Sequence, residues 1–509
     1  MLSKINSEGL MGIDGYPVTV EVDIGNGMPA FDVVGLPDTA VKESRERVRS
    51  ALKNCGFKFP TKRITVNLAP ANIKKAGAIY DLPICMGLLL SSGQLDTDLS
   101  DYAFIGEIAL SGELRPVEGA LPMAIAAKDA GIKNIILPKD NAQEAAVVSG
   151  LDVYGAASLT DIFAHLTTEK KIDKTSIDID EIFRRQSEAT LDFADVKGQE
   201  NAKFALEIAA AGGHNCLLIG SPGSGKSMLS KRLPSILPSL SFDEALEVTK
   251  VHSIAGLIPS DTSLITTRPF RSPHHTISAV GLSGGGTYPR PGEISLAHNG
   301  VLFLDEFPEF RKDALEVLRQ PLEDGIVTIA RVNATLTYPS NTMLIAAMNP
   351  CKCGYYGDGT DRCTCSESSI KQYLGKISGP LLDRIDLHIE VPAVKYRELT
   401  DTTPAESSAD IKKRVEKARD IQKMRYKDHK GIYCNAQMTE KMVSEFCKLG
   451  PDEENLLKQA FDSLGLSARA HNRILKVART IADLKGEENI KSEHITQAIF
   501  FRSLDRKYW

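Results

Sequence analysis

A short apolar run at residues 216–219 leads into Gly220-Ser221-Pro222-Gly223-Ser224-Gly225-Lys226-Ser227, which fills every fixed position of G-x-x-x-x-G-K-[ST]. Glycines let successive backbone N–H groups turn inward around phosphate oxygens, and a helix that follows offers its positive end. Lys226 is then expected to reach the β- and γ-phosphates, and the Ser227 hydroxyl to hold Mg²⁺. Residues 301–306 read Val-Leu-Phe-Leu-Asp-Glu, a buried-strand pattern that ends in two carboxylates. Beside a phosphate loop, Asp305 is placed to hold the metal through its water shell, and Glu306 to orient and polarise the attacking water. A third strand-like run, 343–348, ends at Asn349. By itself Asn349-Pro350 is a turn signal, but between the other two strand tips its amide can bond the γ-phosphate or the water. Phosphoryl transfer needs positioning more than covalent chemistry, so this set suffices for ATP hydrolysis with ATP and Mg²⁺ as cofactors.

Other residue types at close spacing invite chemistry too. Of nine cysteines, Cys351, Cys353, Cys363 and Cys365 form a CxC-x9-CxC array on a glycine-containing loop just after Asn349. Four thiolates there can close a structural, tetrahedral Zn²⁺ site; reduced free thiols are the alternative reading. The odd total argues against a disulfide framework. His274 and His275 are adjacent, and neighbouring side chains on a helix or strand do not face one metal. Residues 326–336 alternate with period two after Asp324-Gly325, as a hairpin does. Residues 411–430 carry nine Lys/Arg against three acids, either a stripe for phosphate backbones or a solvated helix face.

The elements that must hold these groups follow from length and pattern. With 509 residues the chain suggests roughly three domains at about 150 each. Its 42% hydrophobic and 25% charged content is that of soluble globular protein. Polar stretches at 167–192 and 398–410 divide it into 1–166, a linker at 167–192, a phosphate-loop unit at 193–397 and a last unit at 398–509. The first unit mixes strand-like runs (18–24, 63–67, 134–137) with helix-like runs (39–54, 122–130), an α/β or α+β pattern. The last is helical by period, with Ile411, Val415, Ala418 and Ile421 on one expected face and 473–484 repeating the pattern. The longest apolar run, 82–90, is far short of a membrane span, and residues after Met1 show no secretory h-region, so a cytoplasmic protein is expected. A net charge of −5 requires any polyanion to be met by a local patch.

The phosphate loop, Leu302-Phe303-Leu304-Asp305-Glu306, Asn349 and Gly379-Pro380-Leu381-Leu382-Asp383-Arg384-Ile385-Asp386 together resemble the AAA+ module of magnesium chelatase I subunits and MCM helicases. Arg271-Ser272-Pro273-His274-His275 and Gly292-Glu293-Ile294-Ser295-Leu296-Ala297-His298 narrow the resemblance to the chelatase-like YifB/ComM family. The resemblance implies a multidomain α/β chain: an N-terminal Lon-protease-like α+β domain, a central AAA+ P-loop NTPase with a parallel sheet and helices, and a C-terminal α-helical lid. It also implies a hexameric ring ATPase that drives branch migration of DNA in natural transformation or recombination. Under it, Arg384 is the finger that enters a neighbouring subunit's ATP site, and Arg469 is the lid residue over the phosphates, with Arg473 as runner-up. Arg331 becomes the DNA-gripping residue of a pore hairpin, and 259–291 the family's helix-2 insert. Residues 64–160 resemble a Lon-type protease, yet 77–83 hold no serine and 118–122 no lysine, so the nucleophile and its activating amine are missing. A chelatase-type ATPase that remodels a protein partner without DNA is the alternative, and an ATP-dependent protease the third reading.

Overall fold

A computed structural model describes residues 2–184, 191–286, 289–331, 334–394, 405–429, 431–464, 467–502 and 504. Its contacts divide the chain into two compact units, one of residues 1–186, 242–266 and 336–338, the other of 187–241, 267–335 and 339–509. No helix among the described residues is long and apolar enough to cross a membrane.

The first unit is built on strands β1 (Leu2–Met11), β2 (Asp14–Gly25), β3 (Ala30–Val34), β4 (Arg63–Ala69), β5 (Tyr102–Phe104), β6 (Glu107–Ile108), β7 (Leu114–Arg115), β8 (Asn134–Pro138) and β9 (Asp152–Ala156). Seven of them form one sheet in the order β3-β4-β2-β1-β5-β8-β9, and β6 pairs with β7. β1 and β2 make an antiparallel hairpin, Leu2 opposite Asp23 and Met11 opposite Asp14. Val18, Val20 and Val22 on β2 and Ile64, Val66 and Leu68 on β4 alternate into the core, the period-two signature of a sheet with one buried face. Helix Thr39–Asn54 begins where Asp38 accepts the Val41 N–H at 2.8 Å, an N-cap bond. The longest apolar run folds as helix Asp81–Ser91, buried nearly all round, and Pro83 is tolerated because it lies in the first turn. Helix Phe242–Ile254 also belongs to this unit: its Ser253 carbonyl accepts the Gly119 N–H at 3.1 Å, and the buried Glu144 carboxylate takes hydrogen bonds from Ser253 Oγ and the Leu121 N–H.

The second unit contains β10 (Cys216–Ile219), β11 (Phe270–Arg271), β12 (Gly284–Gly285), β13 (Arg290–Pro291), β14 (Val301–Leu304), β15 (Ile326–Arg331), the ends of β16 (Ala334–Pro339), whose residues 336–338 count with the first unit, β17 (Met343–Met348) and β18 (Leu387–Glu390). Its central sheet runs β11-β14-β17-β10-β18 with every pairing parallel. β10, β14 and β17 are buried at every position, which is why they read as unbroken apolar runs rather than alternating ones. The helices Ser408–Arg425, Ala468–Leu484 and Ser492–Phe500 share one hydrophobic cluster with the strands and with helix Glu200–Gly212. Ile411, Val415 and Ala418 are buried there as expected, but Ile421 is exposed and Gln422 is buried in its place. The helical period brings residue 422, not 421, back under residue 411. Gln422 is satisfied by donating to the Ala211 carbonyl at 3.0 Å and accepting the Asn435 N–H at 3.0 Å.

Candidate nucleotide site

β10 and β17 are neighbours whose onward connections run to opposite sides of the sheet, β10's to β11 and β17's to β18, the switch-point arrangement that favours a ligand site at the carboxyl edge. Register sets the level of the groups there. Ile219 pairs with Met348 and Leu304 with Ala346, which brings the residues just past β10, β14 and β17 to one edge. Gly223 (φ 77°) and Gly225 (φ 94°) take left-handed backbone angles that side-chain-bearing residues rarely adopt, and helix Lys226–Arg232 follows at once. A Cβ on Gly220 would stand 2.2 Å from the Val391 carbonyl oxygen, so only glycine fits where the loop leaves the strand.

The side chains named from sequence converge on this edge. The Lys226 ammonium donates to the Gly220 carbonyl at 2.7 Å, the Ser221 carbonyl at 3.0 Å and Asn349 Oδ1 at 3.2 Å. Burial pulls its pKa below the ordinary lysine range, and the Asp305 carboxylate pushes back. Ser227 Oγ donates to Asp305 Oδ2 at 2.5 Å, a hydroxyl–carboxylate pair of the kind that shares a hard cation. Glu306 follows at φ 53°, its N–H donating to Asp305 Oδ1 at 2.9 Å, and its carboxylate meets His275 Nδ1 at 2.9 Å. His274 and His275 do stand together, ring centroids 4.1 Å apart, because their segment is a loop and neither a helix nor a strand. A loop with left-handed glycines, a buried ammonium and the Ser227–Asp305 pair suit a triphosphate with Mg²⁺.

The four clustered cysteines sit against this loop. Cys351 Sγ lies 3.3 Å from Cys353 Sγ and 3.9 Å from Cys363 Sγ, and Cys353 Sγ is 3.7 Å from Cys363 Sγ. All four sulfurs fall within 4.8 Å of one another. Four sulfurs at about 2.3 Å from a tetrahedral zinc would be about 3.8 Å apart, so the cluster is already near ligand spacing. The Cys353 thiol is pulled down to about 6 by the Tyr355 backbone N–H and by neighbouring thiols. Gly354 packs so closely on the phosphate loop that a Cβ there would be 2.5 Å from Pro222 Cδ. Glu487, Glu493 and His494 make a second cluster that sequence reading missed. Its imidazole Nδ1 accepts the Lys491 N–H, which puts the proton on Nε2 facing the carboxylates and leaves no lone pair for a metal.

Arg384 follows the turn Gly379–Leu382 and is 6% exposed. Its guanidinium donates to the Pro380 carbonyl at 2.7 Å and pairs with Glu323, while Nε is buried without a partner among the described residues. Burial lowers its pKa, as do the nearby cations Arg469, Arg319 and Arg473. Arg469 is exposed in the first turn of helix Ala468–Leu484. Arg473 pairs with the buried Asp386, whose carboxyl burial alone would raise but which Arg473 and His214 hold well below the usual range. Arg331 ends β15, exposed, and residues 332–333 between β15 and β16 lie outside the described residues. On helix Ser408–Arg425 and just beyond, much of the positive charge is spent inside the fold. Arg414 pairs with Glu207 and Glu406, Arg425 with Asp483, and Arg419 donates to the Ala210 and Tyr433 carbonyls.

Comparison with known proteins finds relatives along the whole chain. The family model described as magnesium chelatase, subunit ChlI, covers residues 192–399, the ChlI subunit model 20–141 and the ChlI C-terminal model 405–502. The chain is 45% identical to competence protein ComM of Haemophilus influenzae, over 99% of this chain and 98% of that one. It is 44% identical to YifB of Escherichia coli over the same shares. Over 164 residues, 32% of this chain and 19% of the other, it is 29% identical to the DNA replication licensing factor mcm5 of Dictyostelium discoideum. A parallel sheet with a phosphate loop at its switch point, matched by these families, defines the class: magnesium chelatase-like AAA+ ATPases. Within that class, the chain belongs to the YifB/ComM family.

Proposed function

We propose that the chain is an ATP-driven motor that assembles as a ring, most simply a hexamer, and acts on branched or single-stranded DNA, with helicase or branch-migration activity. The observation that carries the ATPase part is the convergence of Lys226, Ser227, Asp305, Glu306 and Asn349 on one sheet edge. Mg²⁺, when bound, would neutralise charge on the β- and γ-phosphates. Residues 220–225 would wrap the phosphates with backbone N–H groups, and Lys226 would exchange its loop carbonyls for phosphate oxygens. Ser227 and Asp305 would hold the metal, Glu306 would orient water, and Asn349 would fix the γ-phosphate. Arg384 would supply cationic charge to a neighbouring subunit's γ-phosphate, trading Glu323 for a more highly charged anion, with Arg469 beside it. Cys351, Cys353, Cys363 and Cys365 would hold a structural Zn²⁺ that buttresses the phosphate loop through Gly354 and Pro222.

The DNA part is supported by the relatives' names, a competence protein and a replication licensing factor, and by the β15–β16 pair that carries Arg331. The first unit would be a Lon-like scaffold without protease chemistry, and residues 398–509 a helical lid. Matches to a magnesium chelatase subunit along three segments favour a second reading, a ring that remodels a protein partner. ATPase rate with and without four-way DNA, at low and moderate salt, separates them. Strong stimulation that fades with salt is expected of the motor, and indifference to DNA would favour the partner-remodelling ring.

A further inference from the structure

Glu306 is an exposed side chain on a left-handed backbone, φ 53° and ψ 43°. An exposed glutamate samples several rotamers, and a carboxylate that must hold water for in-line attack cannot do so while it swings. Among the described residues its one side-chain partner is His275, with Nδ1 at 2.9 Å from Oε2. That contact engages one carboxylate oxygen and leaves Oε1 free.

His275 is itself held on several sides. β11 pairs with β14 so that Arg271 stands opposite Leu302, which brings the loop after β11 out beside the end of the strand that carries Asp305 and Glu306. Arg271 is clamped by Glu293 through two bonds, Nε to Oε2 at 2.6 Å and Nη2 to Oε1 at 2.7 Å. The His275 ring lies against His274 at 4.1 Å and meets Phe310 edge-on at 6.4 Å. His274 is fixed in turn, Nδ1 to Thr276 Oγ1 at 2.9 Å. A base, a group that orients it and a scaffold that orients that group form the layered arrangement by which reactive carboxylates and imidazoles are kept in place.

We propose that His275 is a positioning residue for ATP hydrolysis: its imidazole, with Nδ1 2.9 Å from one oxygen of Glu306, holds that oxygen so that the other faces the attacking water. The inference rests on Glu306 being the water-orienting carboxylate, and the experiment keeps the two apart. Steady-state ATP hydrolysis and nucleotide binding are measured on the full chain with Mg²⁺ for the wild type, His275→Ala, His275→Asn and Glu306→Gln. His275→Ala should lower kcat about 10- to 100-fold with KM and nucleotide affinity within about twofold. His275→Asn, whose amide N–H can occupy the Nδ1 position, should recover most of the loss. A wild-type or higher kcat in His275→Ala, an equal loss of nucleotide binding, or an Asn variant no better than Ala overturns the proposal. Retained turnover in Glu306→Gln overturns instead the assignment of Glu306 on which it stands.

Discussion

In the second unit, ionisable side chains at the strand tips are held mostly by one another: Lys226 by Asn349 and loop carbonyls, Ser227 by Asp305, Glu306 by His275. In the first unit, comparable groups are sealed into the core. The Lys75 ammonium is buried on the Pro70 and Ile73 carbonyls, and Asp81 is buried against Arg47, Nε to Oδ2 at 2.6 Å. Burial drives the Asp81 pKa up to about 6 even though Arg47 pulls it down. The contrast teaches that a polar cluster at an exposed sheet edge, bonded by exchangeable partners, is poised for a ligand, whereas one consumed by core packing is architecture. Residues 77–83, where a Lon-like nucleophile would sit, form the turn Ala78–Tyr80 and the start of helix Asp81–Ser91, with no serine to activate.

The comparison breaks most visibly if the edge cluster is dispensable. Lys226→Ala should abolish ATP binding by equilibrium titration, while Asp81→Asn in the first unit should leave nucleotide affinity unchanged. Equal losses in the two variants would mean that the distinction between exchangeable and sealed clusters is wrong. Arg384→Ala should lower turnover in the assembled state about 10³-fold with ATP binding retained, read by ATPase rate against protein concentration. A variant as fast as the wild type, or a rate per chain that does not rise on assembly, would place the γ-phosphate charge entirely within one chain. Removing metal from the cysteine cluster sharpens the picture on a smaller scale. Purified protein should carry about one equivalent of zinc, and Cys351→Ser should weaken ATP binding several-fold because Gly354 no longer braces Pro222. Less than about a quarter equivalent of metal per chain, with thiols intact, would return the cluster to free cysteines.

Much of the site was legible because its constraints are local. A phosphate loop needs glycine where φ is positive and a lysine at a set distance, and buried parallel strands read as short apolar runs, so β10, β14 and β17 fall at the residues their pattern marks. Contacts that depend on tertiary approach were not legible. Nothing in the spacing of residues 275 and 306 announces their meeting, which is set by the parallel pairing of β11 with β14. The partner of Arg384 is Glu323, 61 residues away, rather than a neighbouring aspartate. The exposure of Ile421 follows from a helical phase that one residue shifts, and the inward use of Arg414, Arg419 and Arg425 hides much of a stripe that composition made look basic. Helix Phe242–Ile254 joins the first unit although it lies in sequence between the phosphate loop and the carboxylate strand, a placement that no periodicity encodes.

The finest test of the sealed core is titration of Glu8 on β1. It is 1% exposed, its Oε2 has no hydrogen-bond partner among the described residues, and burial pushes its pKa up to about 8. A folded-state pKa above the unfolded 4.5 means that the native chain keeps a proton which the unfolded chain gives up. The stabilising contribution is therefore complete below pH 4.5 and is lost progressively as pH rises through about 8. Glu8→Gln, which cannot ionise, removes that loss, and at pH 7 it should stabilise the first unit by on the order of 3 kcal/mol relative to wild type. Amide hydrogen exchange along β1 and β2 at pH 5 and pH 7.5, corrected for intrinsic rates, reads the difference where the residue lies. The advantage of Glu8→Gln should be small at the lower pH and grow with the higher. An advantage that is constant across the two values, or larger at pH 5, would show that Glu8 is ionised in the fold and that this core is not sealed against charge.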